Sequence, residues 1–351
     1  MTKCILAIDG GGIKGVFPAS FLATIEDSVG GRIVDYFDLI VGTSTGGIIA
    51  LGLGLGLSAE EILRFYEDSG SKVFGGNHVL RNLKRLGIAK YDNRNLRSAL
   101  QGTFGDQRLG ESKTRLVIPS MNLETGQVYI YKTAHHPKLE RDYGEGAVEV
   151  ALATASAPTF FPTHRSSAGI PLIDGGVWAN NPVGLAVVEA VGVLEWPRDA
   201  LRILSVGCTS ELLDIGKGRF WSLGLGYWGT KIIDLFMTAQ SSASLGTAQV
   251  LAGHENVVRI CPYVPKGRFS LDAHKEMDSL KGLGASEARY ALPRIRPMFF
   301  SEPAEDFVPT SKSATESPRS RSSLVCFHFT DTFPASQQRI HLLQVHGRPS
   351  R

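Results

Sequence analysis

Phe37-Asp-Leu-Ile-Val-Gly-Thr-Ser-Thr-Gly-Gly47 is an apolar run that breaks abruptly into a serine flanked by glycines. Phe37 to Val41 reads as a buried strand, Gly42 to Gly47 as a tight turn, and Ile48 onward as a helix. G-x-S-x-G between a buried strand and a helix is the context of a nucleophile elbow. Gly42 and Gly46 leave room for a turn too tight for larger side chains. The Ser44 hydroxyl then stands at the strand end, at a helix N-terminus that favours developing negative charge. The same residues also suit a plain helix cap in a glycine-rich turn, so the surrounding sequence has to decide.

Upstream, residues 3–8 read as a short buried strand ending at Asp9-Gly-Gly-Gly12. Val16, Phe17, Phe21, Leu22, Ile25 and Val29 recur at helical spacing, and Gly30-Gly31 stops that helix. The order is therefore strand, loop, helix, strand, turn, helix, which predicts an α/β fold with a parallel sheet covered by helices. Gly10, Gly12 and Gly15 fit G-x-G-x-x-G, with Glu26, Asp27 and Asp35 following, so a dinucleotide-binding protein is one reading. Gly224, Gly226 and Gly229 fit the same pattern, which weakens it. The underlying physics is broader. Consecutive glycines point backbone N–H groups into one small volume, and such a nest holds a phosphate or an oxyanion equally well. Lys14 is either an added positive charge there or a solvated loop lysine.

A serine needs a base. A histidine-triad α/β-hydrolase esterase would draw on His254 or His274 by chain order. Spacing opposes it, because that fold places several strands before its elbow, whereas here Ser44 follows the second apparent strand. The other candidate base is Asp174 in Leu172-Ile-Asp-Gly-Gly176, at the end of a short apolar strand. By itself an Asp-Gly pair is as readily a turn.

Together, Asp9-Gly-Gly-Gly-Ile-Lys-Gly15, Gly42-Thr-Ser-Thr-Gly46 and Asp174-Gly-Gly176 resemble, in order, the motifs of the patatin-like phospholipase family. Ala155-Ser-Ala-Pro158 and Asn180-Asn-Pro182 look like that family too. The resemblance runs from about residue 3 to at least residue 210. It implies a patatin-like three-layer α/β/α sandwich with a mostly parallel sheet. It also implies lipid acyl hydrolysis of the phospholipase A type by a Ser44–Asp174 dyad without histidine. Gly10, Gly11 and Gly12 would supply the oxyanion hole, with Lys14, Gly15, Gly42, Gly46, Gly175 and Gly176 as motif support. No cofactor or metal is needed for that chemistry. A weaker likeness to bacterial patatin-like proteins lies in Phe220-Trp221, Trp228, Ile232, Leu235-Phe-Met237, Gln240-Ser241, Arg268-Phe-Ser-Leu-Asp272 and Phe299-Phe-Ser-Glu-Pro303. Some of those proteins are antiphage effectors switched on by a cyclic oligonucleotide to degrade membrane phospholipid. The partners implied are phospholipid at the bilayer surface, a cyclic di- or trinucleotide activator, and a second copy of the chain.

The rest of the chain fits this frame. Its 351 residues are 43% hydrophobic and 20% charged, with a net charge of +3, which excludes a mostly disordered chain and gives no reason to expect a nucleic acid polymer as partner. Cys4, Cys208, Cys261 and Cys326 form no CxxC pair and read as reduced thiols. With no secretory signal or membrane span in view, the expectation is a cytoplasmic protein, peripheral at the inner membrane when active. His135-His136 reads as loop polarity rather than a metal site. Ser58-Ala-Glu-Glu61 is a capping box opening another helix. Residues 217–252 read as a long aromatic helix preceded by a loop. Residues 217–300, with Lys217, Arg219, Lys231, Arg259, Lys266 and Arg268, form the candidate control region. Residues 1–310 read as one domain and 311–351 as a low-complexity tail.

Overall fold

A computed structural model describes residues 2–74, 89–211, 225–269, 271–272 and 274–310. The opening elements follow the hydrophobic pattern. β1 is Lys3–Ile8, α1 Val16–Val29, β2 Leu39–Gly42 and α2 Thr45–Gly54. Gly30 ends α1 in the left-handed conformation, at φ 75°. Ser58 and Glu61 exchange hydrogen bonds at the head of α3 (Ala59–Phe74), so the capping box forms. Next come α4 (Arg94–Phe104), β3 (Arg115–Asn122), β4 (Gln127–Lys132) and α5 (Ala147–Ala155). Then follow β5 (His164–Arg165), β6 (Pro171–Asp174), α6 (Gly176–Ala179), α7 (Val183–Gly192), β7 (Leu201–Val206) and β8 (Ser210–Glu211). The last elements are α8 (Leu225–Ala252), β9 (Val257–Ile260), β10 (Tyr263–Val264) and α9 (Met277–Phe299). The expectations for residues 217–224 and for the 311–351 tail lie outside the described residues.

The main sheet runs in the order β5-β6-β3-β2-β1-β7-β9, with β4 also on β3. Its centre is parallel: β3-β2, β2-β1, β1-β7 and β7-β9. Side chains alternate across it, as the pleat requires. Leu6 and Ile8 of β1 pack with α1, α2, α3, α5 and α9 on one face. Ile5 and Ala7 pack with α7 and the end of α8 on the other. The fold is thus the expected α/β/α sandwich.

One detail of register makes the site. β2 pairs β3 only as far as Val41↔Val117, while β6 pairs antiparallel from Asn122↔Leu172 to Ser120↔Asp174. β4 occupies the other flank of β3 over the same residues. A strand has two flanks, so β2 and β6 share one and meet head to head, C-terminal end to C-terminal end. Ser44 lies two residues past the end of β2, and Asp174 is the last residue of β6. Pro119 sits opposite the gap between them, where no ladder hydrogen bond is needed.

Candidate active site

Ser44 carries the strain expected of an elbow. Its φ is 54° and ψ −120°, a region that side chains other than glycine rarely enter. The turn closes because Gly42 and Gly46 have no side chains. A Cβ on Gly46 would lie 2.3 Å from the Ile8 carbonyl oxygen, and one on Gly42 would lie 2.1 Å from the Gly46 carbonyl oxygen. The Ser44 N–H donates to Thr154 Oγ1 at 2.9 Å, and that hydroxyl donates onward to the Pro119 carbonyl at 2.6 Å. Thr43 Oγ1 donates to the Ala179 carbonyl. Thr154 was not singled out in the sequence, though a lone hydroxyl in the apolar run Ala147–Ala155 is a signal of sorts.

The Ser44 hydroxyl donates directly to Asp174 Oδ2 at 2.6 Å. Asp174 Oδ1 accepts the Gly176 N–H at 2.6 Å, and the Asp174 N–H donates to the Ser156 carbonyl. Ser156 and Gly176 belong to the two short motifs around Ala155–Pro158 and Asp174–Gly176. The carboxylate is 5% exposed. Burial pushes its pKa up from 3.8 to about 6, against the pull of the two hydrogen bonds. The side chain therefore titrates near the range where a base is useful.

The glycine loop packs on Ser44. A Cβ on Gly10 would lie 3.3 Å from Ser44 Cβ and 2.5 Å from Asn180 Oδ1. The Gly10 N–H already donates to the Asn180 carbonyl at 3.0 Å, and the Ile13 N–H to the Leu271 carbonyl at 2.9 Å. Among the described residues, the N–H groups of Gly11 and Gly12 have no acceptor. Of the three glycines expected to form a nest, Gly10 is thus engaged with Asn180, and Gly11 and Gly12 keep unpaired N–H groups among the described residues. Lys14 is half-buried beside the loop, and Gly15 packs against Thr45 and Tyr66.

Among the described residues, no hydrogen bond joins a histidine to Ser44 or Asp174. His135 bonds Thr133 and Glu189, His164 sits near Glu149, and His254 is exposed in the turn before β9. His274 opens a short turn ahead of α9. The histidine-triad reading fails on this geometry, because the Ser44 hydroxyl is already spent on a carboxylate. The dinucleotide reading of Gly10, Gly12 and Gly15 fails as well, since the loop is folded against a serine elbow. Arg259, one of the basic residues of the candidate control region, is half-buried and paired with Asp9. Among the described residues, no group of three His, Cys, Asp or Glu side chains could hold a metal ion.

The Ser44–Asp174 pair and the glycine loop lie where the chain is similar to known proteins. The family model for patatin-like phospholipase matches residues 6–187, a span that contains the whole arrangement. The chain belongs to the patatin-like phospholipase family. A cGAMP-activated phospholipase of Pseudomonas aeruginosa is 37% identical over 244 residues, covering 69% of this chain and 73% of that one. A cGAMP-activated phospholipase of Vibrio cholerae is 31% identical over 341 residues, covering 86% and 96%. Patatin-like protein 2 of Arabidopsis thaliana is 32% identical over 284 residues, covering 72% and 66%. The protein is accordingly a phospholipase, a lipid acyl hydrolase. Among the described residues, no helix is long and apolar enough to cross a membrane.

Proposed function

We propose that the protein cleaves phospholipid acyl esters with Ser44 as nucleophile and Asp174 as the only general base. The observation that carries this reading is the 2.6 Å hydrogen bond from the strained Ser44 to a buried carboxylate. In the first half-reaction Ser44 Oγ attacks the ester carbonyl carbon, and its proton passes to Asp174 Oδ2. The carbonyl oxygen becomes an oxyanion received by the Gly11 and Gly12 N–H groups of the loop between β1 and α1, with the N-terminus of α2 behind Ser44 adding its dipole. Collapse expels the lysophospholipid oxygen, which takes the proton from Asp174. In the second half-reaction Asp174 takes a proton from water as the water oxygen attacks the acyl carbon; the bond to Ser44 Oγ then breaks, the fatty acid leaves, and Oγ recovers the proton from Asp174.

Two features suit substrate delivered from a bilayer. Val177, three residues past Asp174, is 43% exposed, and on α8 Ile233 and Phe236 are 70% and 65% exposed. An aromatic stripe at helical spacing is ordinarily core, and these side chains are not. Val177, Phe236, Met237 and Ala243 line a groove of about 500 Å³, whose Gln240 accepts the Asn180 N–H. The groove is thus joined to the glycine loop through Asn180. We read this face as the part that meets the bilayer surface.

The bacterial relatives are named for activation by cGAMP, and the match to the Vibrio cholerae protein spans nearly its full length. This chain is accordingly proposed to be switched on by the same class of ligand, a cyclic dinucleotide, in antiviral defence. The test is fatty acid release from mixed phospholipid vesicles with and without cGAMP. Release that depends on cGAMP supports the whole reading. Release that ignores it removes the switch and leaves the hydrolase, and no release in either arm removes both.

A further inference from the structure

The glycine loop is gripped at both ends by residues beyond the span that the family model matches. At its head, Asp9 is 4% exposed and both carboxylate oxygens are taken by one guanidinium, with Arg259 Nη1 on Oδ1 at 2.7 Å and Nη2 on Oδ2. Arg259 Nη1 also donates to Ser205 Oγ at 2.7 Å. Arg259 stands in β9 directly opposite Ser205 of β7, so the fork is itself set by the parallel ladder. At the loop's tail, the Ile13 N–H is held by the Leu271 carbonyl. From the side, Cys208 Sγ fills the space where a Cβ on Gly11 would lie, at 2.4 Å. The two N–H groups without acceptors, Gly11 and Gly12, lie between these holds.

A buried ion pair is a weak device for stability, because desolvation offsets its attraction and apolar side chains of similar size do as well. Its distinctive property is direction: a planar fork meets a carboxylate in one orientation only. Here that orientation passes through one peptide after another from Asp9 into Gly10, Gly11 and Gly12.

We propose that Arg259 is the positioning residue of the oxyanion nest, aiming the Gly11 and Gly12 N–H groups by clamping the Asp9 carboxylate against Ser205. The proposal rests on the reading of those two groups as oxyanion donors. Arg259 touches no substrate and acts through the loop.

The experiment uses the full chain and a soluble short-chain p-nitrophenyl ester, which removes the membrane from the measurement. Arg259→Gln is expected to lower kcat about 100-fold, the cost of a misplacement near 1 Å, and to leave KM within about twofold. The inhibition constant of a trifluoromethyl ketone, which forms a tetrahedral adduct on serine, should rise by the factor by which kcat/KM falls. Arg259→Lys keeps the charge without the fork and should recover part of kcat. Ser205→Ala, a mild change that keeps the ion pair, should lower kcat several-fold and covers the case in which Arg259→Gln does not fold. Lys132→Gln breaks a different buried pair, with Glu189, and should lower Tm while leaving kcat unchanged. Native kcat in folded Arg259→Gln, or native kcat in Ser205→Ala if Arg259→Gln does not fold, would overturn the proposal. So would a loss confined to KM. A wild-type protein silent on the ester overturns the hydrolase reading beneath it as well.

Discussion

Ser44 and Asp174 are each held in a state that folding alone would not choose. Ser44 sits at positive φ, at a cost of about 1–3 kcal/mol, and Asp174 is a carboxylate out of water. The Asp174 pKa lies above its unfolded value, so its contribution to stability is present at low pH and is lost as pH rises through about 6. The proposed mechanism needs the same group ionised. The kcat/KM profile on a soluble ester should therefore fall on the acid side with an apparent pKa of about 6. Asp174→Asn keeps the shape and the Gly176 hydrogen bond but carries no charge. It should be inactive and, at pH 8, more stable than wild type by roughly 2–3 kcal/mol, read from denaturant unfolding. A less stable Asp174→Asn would show that the carboxylate is not strained. Thr154→Val tests the support of the elbow. It leaves the Ser44 N–H buried without a partner, which should cost about 1–3 kcal/mol in unfolding experiments and slow turnover.

At the scale of elements, the part read correctly from sequence is the part with regular patterning. β1, α1, β2 and α2 were legible because apolar runs of strand length alternate with helical spacing and glycine stops. The Ser44–Asp174 contact was not derivable from that pattern and rested on the family resemblance. It comes from β2 and β6 meeting end to end along β3, and no local signal encodes that register. α4 was not read, although Leu96, Leu100 and Phe104, which carry its burial, recur at helical spacing. α9 was hidden by Pro293 and Pro297 within it. The Arg259–Asp9 pair was not legible, because an isolated arginine in a mixed segment gives no sign of a partner 250 residues away. The exposed face of α8 leads to a prediction of its own. Ile233→Ser with Phe236→Ser removes two side chains worth about 1.5–3 kcal/mol each on burial. The pair should weaken vesicle binding and vesicle turnover at least roughly tenfold while leaving the soluble ester unaffected. Equal loss on both substrates would place these residues in the folded core of the reaction instead.

For the whole molecule, the arrangement divides the work between two parts of one sheet. The centre, β1 and β2 with β6 meeting it, presents Ser44, Asp174 and the glycine loop, all inside the family-matched span. The far edge, β7 and β9, with the segment to Leu271, fastens the loop. A cyclic dinucleotide that acts on this protein must favour an active arrangement over a resting one, and its effect is bounded by that difference in affinity. Stimulation of vesicle hydrolysis by cGAMP of about tenfold or more is the expected outcome, and it should come without change in which residue is acylated. The central claim is the direct Ser44–Asp174 dyad, and the most direct test is labelling by a fluorophosphonate, with the modified peptide read by mass spectrometry. The prediction is one adduct on Ser44, absent in Ser44→Ala, formed at least ~100-fold more slowly in Asp174→Asn, and formed at the wild-type rate in His254→Ala and His274→Ala. An adduct on another residue, or wild-type labelling of Asp174→Asn, would contradict it.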